Sequence, residues 1–351
     1  MSAYNVVVLG DTPPVRLDRL AGRARVQVSD DRSLPTLLPA ADVLLVWDFQ
    51  SDAVRTAWPQ AGPRPRWVHT ASAGVDRLLF PDLVASETVL TNARGVFDQP
   101  IAEYVAGLVL AFAKDLAGTW ELQRQRRWHH RETRRLAGTR AVVVGAGPIG
   151  RAIGETLRAL GVRVEWVGRT AREGVRGAAE LDALLPDADW VVCAAPLTEA
   201  TRGLFDRAAF ARMAASAYFV NVGRGPLVVT EELRAALLAR RIAGAALDVF
   251  EREPLAADSV LWDTPGLLVS PHMSGDTLGW REDLARQFED NFDRWAAGEP
   301  LFNVVDKRLG YVPGPGAEPA AGGGQTPGAP APAGRRAGPP TTRGTPGGTD
   351  E

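Results

Sequence analysis

The chain has 351 residues, enough for two domains that each bury a sizeable core. Its residues are 45% apolar and 23% charged, as in an ordinary globular protein, and its formal net charge is −2. A nucleic-acid-binding protein normally carries a strong basic excess, so the composition predicts no nucleic-acid partner.

The sequence also predicts no membrane contact, because no run approaches the roughly 18 apolar residues of a membrane-spanning helix. The N-terminus enters an apolar stretch without the basic segment of a secretory signal. The single cysteine, Cys193, lies in an apolar run, which predicts a buried core residue rather than a reactive thiol. These features predict a cytoplasmic protein.

Short apolar runs alternate with helical stretches in the N-terminal part, the pattern of a parallel α/β sheet. The predicted strands are residues 5–9, 25–29, 43–47, 66–70 and 88–91. Trp47 and Phe49 lie at the end of the third strand, where they either border a pocket or pack in the core. A long amphipathic helix follows, with Asp98 expected as its N-cap and Pro100 in its first turn.

The stretch 123–135 comes after this helix, is rich in arginine and contains Trp128. Such a charge run predicts an exposed arm. It is either a solvated surface or a contact between the two subunits of a homodimer.

A second α/β unit starts near residue 139, and its six predicted strands are the number found in a dinucleotide-binding domain. They are residues 141–144, 163–167, 190–194, 218–222, 244–248 and 267–270. A further helix is predicted from about 276 to 296. The fold class is therefore α/β, with two Rossmann-like domains and parallel sheets. The cofactor domain (residues 99–276) is inserted into a discontinuous substrate domain (residues 1–98 and 277–311). Residues 312–351 are rich in Gly, Pro and Ala and predict a disordered tail.

A glycine turn joins the first strand of the second unit to a helix. Gly145 permits the tight turn, Gly147 lets the backbone approach a pyrophosphate, and Gly150 allows close packing of helix on strand. Pro148 and Ile149 open the helix, whose N-terminal N–H groups attract phosphate. The five residues predict a dinucleotide site.

The end of the next strand bears on the choice between NAD and NADP. An NAD site expects an acid there to bind the ribose 2′-hydroxyl, but this chain has Gly168, followed by Arg169, Thr170 and Arg172. Arginine can bind a 2′-phosphate through charge-assisted hydrogen bonds. The sequence therefore favours NADP(H), with NAD(H) possible; the alternative is a solvated basic turn.

Three further segments follow later strands and contain a possible catalytic set. They read Asn221-Val-Gly-Arg-Gly, Leu247-Asp-Val-Phe-Glu-Arg-Glu-Pro-Leu and Ser270-Pro-His-Met-Ser-Gly. With Ala195-Pro-Leu-Thr, Thr70-Ala-Ser-Ala-Gly-Val-Asp and the Ala102-Glu-Tyr-Val helix, they make the sequence resemble the D-isomer-specific 2-hydroxyacid dehydrogenase family up to about Leu309. The resemblance implies that Arg224 binds the substrate carboxylate and polarises the carbonyl, that His272 is the acid–base group, and that Glu253 is its partner. An imidazolium suits proton delivery near neutral pH, and an arginine fork matches a carboxylate.

The resemblance also implies the remaining contacts. Asp248 corresponds to the residue that contacts the nicotinamide carboxamide. Glu251 is the competing acid, but the family motif has the Glu-Pro pair of Glu253. Further cofactor contacts are expected at Ala195, Pro196, Thr201, Val222 and Gly223. Backbone groups of Ser72, Ala73, Gly74 and Val75 are expected to bind substrate together with Arg224 and His272.

The function implied is hydride transfer between NAD(P)H and a small 2-oxo or 2-hydroxy acid, mainly reduction of glyoxylate- or hydroxypyruvate-like acids. Related formate dehydrogenases have Gln where this chain has Glu253, which disfavours formate. A 3-phosphoglycerate-type dehydrogenase is one alternative, although the tail is not expected to fold into a regulatory domain. A nucleotide-sensing transcriptional corepressor is another, although no DNA-binding module is evident.

Overall fold

The computed structural model describes residues 4–11, 14 and 17–314. Two parallel sheets organise this part of the chain, in the order in which the sequence predicts them. Each strand predicted from the sequence is present, and each of its ends differs by at most one residue. The tail prediction for residues 315–351 lies outside the described residues.

The first sheet has five strands in the order β2-β1-β3-β4-β5. They are β1 (Tyr4–Leu9), β2 (Ala24–Ser29), β3 (Val43–Val46), β4 (Trp67–Thr70) and β5 (Val89–Asn92). All residues of β3 and β4 are buried, as expected for central parallel strands covered on both faces.

The second sheet has seven strands in the order β12-β11-β10-β9-β6-β7-β8, so the predicted number of six is wrong. They are β6 (Arg140–Val144), β7 (Arg163–Gly168), β8 (Arg176–Gly177), β9 (Trp190–Cys193), β10 (Tyr218–Asn221), β11 (Gly244–Leu247) and β12 (Leu267–Val269). The additional strand β8 is only two residues long and pairs with the end of β7. It has no apolar run, so the sequence pattern could not indicate it.

Ten α-helices accompany the two sheets in the described part of the chain. They are α1 (Leu34–Leu37), α2 (Ala53–Ala57), α3 (Pro81–Ala85), α4 (Asp98–Ala113), α5 (Leu116–Arg124), α6 (Pro148–Ala159), α7 (Leu181–Leu184), α8 (Arg207–Arg212), α9 (Thr230–Leu238) and α10 (Trp280–Ala297). Asp98 is the first residue of α4 and Phe97 is its N-cap, so the predicted cap is wrong by one position. The Asp98 carboxylate still lies in the first turn, where its negative charge interacts favourably with the positive end of the helix dipole. None of the helices in the described ranges is long and apolar enough to cross a membrane.

The two longest helices pack on different sheets. The apolar face of α4 packs with the second sheet, where Val105 and Val109 share a core with Val143. Phe288, Phe292 and Trp295 of α10 pack instead with the first sheet. This return of the chain agrees with a discontinuous substrate domain. The boundaries at residues 98, 276 and 311 stay a prediction.

Cys193 lies at the end of β9 and is fully buried, in agreement with the core role predicted for it. Burial raises the pKa of its thiol to about 12. The thiol is therefore protonated near neutral pH and unreactive.

Candidate active site

Arg224 follows β10 and reaches across to the first sheet. Its Nε donates to Oδ1 of Asp76 at 2.9 Å, and its Nη1 donates to the carbonyl of Gly223 at 2.9 Å. The two ion-paired side chains are 24% and 26% exposed, so water screens this pair only in part. Asp76 ends the motif that begins at Thr70, but nothing in the local sequence indicates that Arg224 is its partner.

The loop Ser72–Val75 lies against the same guanidinium. A Cβ placed on Gly74 would be 1.8 Å from Nη2 of Arg224, so only glycine lets the two groups approach this closely. The Ser72 hydroxyl donates to the Gly74 carbonyl at 2.6 Å, and Asn92 Nδ2 donates to the Ala73 carbonyl at 2.6 Å. The predicted substrate loop and Arg224 are therefore brought together.

His272 and Glu253 also meet. His272 Nδ1 is 2.7 Å from Oε2 of Glu253, and the other carboxylate oxygen accepts the Phe250 N–H at 2.8 Å. Partial burial raises the pKa of the Glu253 carboxyl. The hydrogen bonds from His272 and Phe250 outweigh burial, together with nearby positive charge, so the net pKa lies below its usual value. Glu253 is therefore ionised near neutral pH, while the Nε2 side of His272 stays available to a substrate.

The backbone at His272 has a left-handed conformation, with φ of 52°. A residue other than glycine adopts it only where surrounding contacts compensate the strain. Asp248 supplies these contacts. Its Oδ1 accepts the Ser270 hydroxyl at 2.7 Å and the Met273 N–H at 3.0 Å, and its Oδ2 accepts the Ser274 N–H at 2.9 Å. Asp248 thus fixes the turn that presents His272; its predicted contact with the nicotinamide carboxamide stays a prediction.

Aromatic and acidic side chains surround the imidazole. The Phe49 ring lies edge-on to the His272 ring, with 5.9 Å between the centroids. Trp47 is half-buried and packs with both cores, which favours the packing role over the pocket role. Asp276 also lies near His272, although the sequence did not predict it as a site residue. Burial raises the pKa of its carboxyl, and the interaction with His272 lowers it by a smaller amount.

The phosphate loop has the geometry that the glycine spacing predicts. Gly145 has φ of 112°, and a Cβ there would lie 2.4 Å from the Ala194 carbonyl oxygen. A Cβ on Gly150 would lie 1.8 Å from the Gly145 carbonyl oxygen, whereas Gly147 faces open space. Gly147 is the N-cap of α6 and Pro148 is its first residue. The free N–H groups at Ile149 and Gly150 suit a pyrophosphate, so the cradle fits a dinucleotide.

The end of β7 is more exposed than the catalytic residues. Arg169 and Thr170 are solvent-exposed, and Arg172 Nη2 donates to the Ala146 carbonyl in the phosphate loop at 3.2 Å. A Cβ on Gly168 would lie 3.0 Å from Val175 and 3.2 Å from Nη1 of Arg172. A side chain at this position would meet Val175 and Arg172, and Arg172 borders the phosphate loop.

The loops after β9 and β10 adjoin this cradle. The Thr201 hydroxyl donates to the Pro196 carbonyl at 2.7 Å and accepts the Thr198 N–H at 2.8 Å, which orders the first loop. A Cβ on Gly223 would lie 2.9 Å from the Ala195 carbonyl oxygen, so the two loops touch. Val222 is buried beneath them.

Comparison with known proteins identifies the family. A family model described as "D-isomer specific 2-hydroxyacid dehydrogenase, NAD binding domain" matches residues 106–274. A glyoxylate/hydroxypyruvate reductase B from Klebsiella pneumoniae (strain 342) is 34% identical over 278 residues, which cover 74% of this chain and 84% of that protein. The chain belongs to the D-isomer specific 2-hydroxyacid dehydrogenase family.

Solved structures of this family have the same fold. An NADPH-dependent glyoxylate/hydroxypyruvate reductase from Sinorhizobium meliloti, in complex with NADP and sulfate, is 29% identical with a TM-score of 0.76. It matches 88% of this dehydrogenase and 100% of its own chain. A family member from Xanthobacter autotrophicus Py2, in complex with NADPH and MES, is 31% identical with a TM-score of 0.72 and the same two coverages.

Proposed function

We propose that this dehydrogenase is an NADPH-dependent reductase of small 2-oxo acids such as glyoxylate and hydroxypyruvate, and that NADH is a poorer cofactor. The observation that carries the proposal is that Glu253, which contacts His272 at 2.7 Å, lies near enough to Arg224 for the guanidinium charge to lower its pKa, while Gly74 of the substrate loop lies against the same guanidinium. Relatives named glyoxylate/hydroxypyruvate reductase and structures complexed with NADP support the substrate class and the cofactor.

Each group has a chemical role in this reduction. Arg224 binds the substrate carboxylate through its guanidinium edge, and the backbone of Ser72–Val75 binds the opposite side. The glycine cradle at the start of α6 would hold the pyrophosphate of the dinucleotide, and its reduced nicotinamide would supply the hydride. His272 delivers a proton from Nε2 to the developing alkoxide, and Glu253 stabilises the imidazolium through Nδ1. Hydride and proton together convert the 2-oxo acid to the 2-hydroxy acid.

An assay with a panel of acids tests the proposal. The purified protein receives NADPH or NADH with glyoxylate, hydroxypyruvate or other 2-oxo acids, and the loss of reduced-nicotinamide absorbance is followed. 3-Phosphoglycerate with the oxidised cofactors tests the alternative activity. We expect turnover with glyoxylate or hydroxypyruvate and a higher kcat/KM for NADPH than for NADH. No turnover with any 2-oxo acid would contradict the proposal.

Two neighbouring acids provide a matched pair of variants. Glu253→Gln keeps the shape of the side chain but removes the carboxylate beside His272. Glu251→Gln makes the same change at an exposed acid that accepts a hydrogen bond from Thr230 at 3.1 Å. We expect Glu253→Gln to lower kcat about tenfold or more, because a charged hydrogen bond is lost, and Glu251→Gln to retain it. Equal loss in both variants would contradict the role of Glu253.

We also propose a homodimer in which the arm 123–135 contacts the second subunit. Trp128 on the arm is 100% exposed, Trp120 on the preceding helix α5 is 62% exposed, and large exposed aromatic side chains commonly belong to interfaces. Light scattering should show a dimer that the double change Trp120→Ser and Trp128→Ser converts to monomer. Leu238→Ser, at an apolar side chain 51% exposed elsewhere, is the control. A dimer that persists in the double variant would exclude this interface.

We further propose a cytoplasmic location and no nucleic-acid or membrane partner. A buried free thiol suits a reducing compartment, and the net charge of −2 does not favour phosphate backbones. Cell fractionation and a mobility-shift assay test these points. Enrichment in the membrane fraction, or a shifted nucleic-acid band at moderate salt, would contradict them.

A further inference from the structure

The chain beyond α10 returns to the first sheet and is fixed there by several contacts. The Val305 N–H donates to the Leu90 carbonyl at 2.8 Å. Nζ of half-buried Lys307 donates to the carbonyls of Leu83, Ser86 and Thr88 at 3.1, 2.5 and 3.1 Å. This part of the chain therefore moves with the first sheet.

A tight turn, residues 306–311, follows immediately. The Asp306 N–H donates to the Tyr311 carbonyl at 3.1 Å, and the Gly310 N–H donates to the Asp306 carbonyl at 2.8 Å. Oδ1 of Asp306 accepts the N–H groups of Arg308 and Leu309 at 2.8 and 3.0 Å. Beyond the turn, Arg94 Nη1 donates to the carbonyl of residue 312 at 3.2 Å. The backbone of Tyr311 is thus fixed on both sides.

The turn lies between the two sheets. A Cβ placed on Gly310 would be 3.1 Å from Leu79 Cδ1 and 3.9 Å from Thr198 Cγ2. Leu79 belongs to the first-sheet side, and Thr198 belongs to the loop after β9 in the cofactor unit. The turn therefore reaches the cofactor unit beside a loop predicted to contact the dinucleotide.

At the end of the turn, the ring of Tyr311 meets Arg169. The guanidinium carbon of Arg169 lies 5.8 Å from the Tyr311 ring centroid, within the range of a cation–π contact. A guanidinium stacks on an aromatic ring through its flat face, while its N–H donors lie in its plane. The contact with the Tyr311 ring therefore restrains the guanidinium without using its N–H donors, which can bind a phosphate.

We propose that Tyr311 is a positioning residue for cofactor selection: it holds Arg169 from the first sheet, so that Arg169 can bind the ribose 2′-phosphate of NADPH. This inference rests on the proposed role of Arg169 at the 2′-phosphate. NADH lacks that phosphate, so the contact contributes to the affinity for NADPH and not to the affinity for NADH.

Direct binding of both cofactors tests the proposal without turnover. The Kd values of NADPH and NADH are measured by fluorescence titration for the unchanged protein, Tyr311→Leu, Tyr311→Phe, Arg169→Ala and the double variant Tyr311→Leu with Arg169→Ala. We expect Tyr311→Leu to raise the Kd of NADPH about two- to fivefold, the effect of losing an exposed cation–π contact, and to leave the Kd of NADH unchanged. Tyr311→Phe keeps the ring and should keep the affinity.

A matched control lies on the same C-terminal segment. Arg294 stacks over Phe302, with 4.2 Å from the guanidinium carbon to the ring centroid, and this pair contacts no cofactor residue named above. Phe302→Leu removes a cation–π contact of the same kind and should leave the ratio of the two Kd values unchanged. A general destabilisation of the segment would instead raise the Kd of NADPH and the Kd of NADH by the same factor.

The outcomes separate this inference from the proposal on which it rests. If Arg169→Ala weakens NADPH and Tyr311→Leu does not, Arg169 binds the phosphate without help and the inference is wrong. If Arg169→Ala leaves the Kd ratio unchanged, the role of Arg169 is wrong, and this inference with it. Loss of NADPH affinity in Tyr311→Phe would mean that the Tyr311 hydroxyl, and not the ring, contributes to NADPH binding. In support, Tyr311→Leu should have no further effect once Arg169 is absent.

Discussion

The two ends of the cofactor cleft are built in different ways. At the catalytic end, His272, Glu253 and Arg224 are mostly buried, and each has an ionisable partner within 2.9 Å. At the ribose end, Arg169 and Thr170 are exposed, and Arg169 contacts one aromatic ring at 5.8 Å.

The difference follows from what each end must do. Proton delivery and carboxylate binding need groups fixed to within a fraction of an ångström, which buried charged hydrogen bonds provide. Selection between two cofactors needs only a difference in affinity, and one exposed cation can supply it. We therefore expect changes at the catalytic end to affect turnover and changes at the ribose end to affect preference.

The largest effect is expected from His272→Asn. The variant removes the proton donor but keeps a polar side chain of similar size in the turn held by Asp248. We expect kcat to fall about 10²- to 10⁴-fold, the usual contribution of a general acid, with the Kd of NADPH unchanged. Steady-state kinetics and a binding titration measure the two quantities. A large loss of NADPH affinity would show that the two ends are not independent.

A smaller effect is expected from Asp76→Asn, which weakens the ion pair that orients Arg224. We expect kcat/KM for the 2-oxo acid to fall about 10- to 100-fold, the size of a charged hydrogen bond. Asp52→Asn is the matched control, because Asp52 pairs with Arg77 at 2.8 Å but is 66% exposed. Such pairs contribute little. If both variants behave alike, Asp76 has no particular role in orienting Arg224.

At the ribose end, Gly168→Asp should reverse the cofactor preference rather than abolish turnover. A carboxylate there repels the 2′-phosphate and can accept the 2′-hydroxyl of NADH, so we expect the Kd of NADPH to rise by about tenfold or more. Gly168→Ala separates charge from crowding, because its Cβ also meets Val175 and Arg172. If Gly168→Ala has the same effect, crowding and not charge determines the preference.

The smallest effect on turnover is expected at His69, which lies inside the first sheet. Its Nδ1 is 2.8 Å from the Thr91 hydroxyl, and burial lowers the pKa of its imidazole from 6.5 to about 3. The unfolded chain therefore takes up this proton first as pH falls. Its contribution to stability is full above pH 6.5 and decreases as the pH falls from there towards 3.

Between pH 7 and pH 5, this single group should lower the free energy of unfolding by about 2 kcal/mol. Denaturant titrations at both pH values measure the change, and His69→Asn should show that much less pH dependence. His129→Asn, at an exposed histidine, should not differ from the unchanged protein. Equal pH dependence in all three proteins would mean that His69 is not held neutral in the fold.

Local patterns account for the parts of the fold and site that the sequence predicted. Buried parallel strands appear as short apolar runs, so the ends of the main strands could be placed within one residue. The glycine turn at Gly145–Gly150 is also local, because the same few residues form the strand end, the turn and the helix start. Strand β8 was not predicted, because a strand of two residues shows no hydrophobic periodicity.

The amino-acid sequence by itself thus determined the α/β class and the phosphate cradle, since each depends on residues close together in the chain, while the catalytic residues followed from the resemblance of several separate motifs to a known family. Only the tertiary structure decided which groups orient them. Asp76 meets Arg224 from 148 residues away, Asp248 fixes the turn of His272, and Tyr311 reaches Arg169 from the other sheet. Such pairings depend on how the two sheets come together, and no local pattern of side chains specifies that.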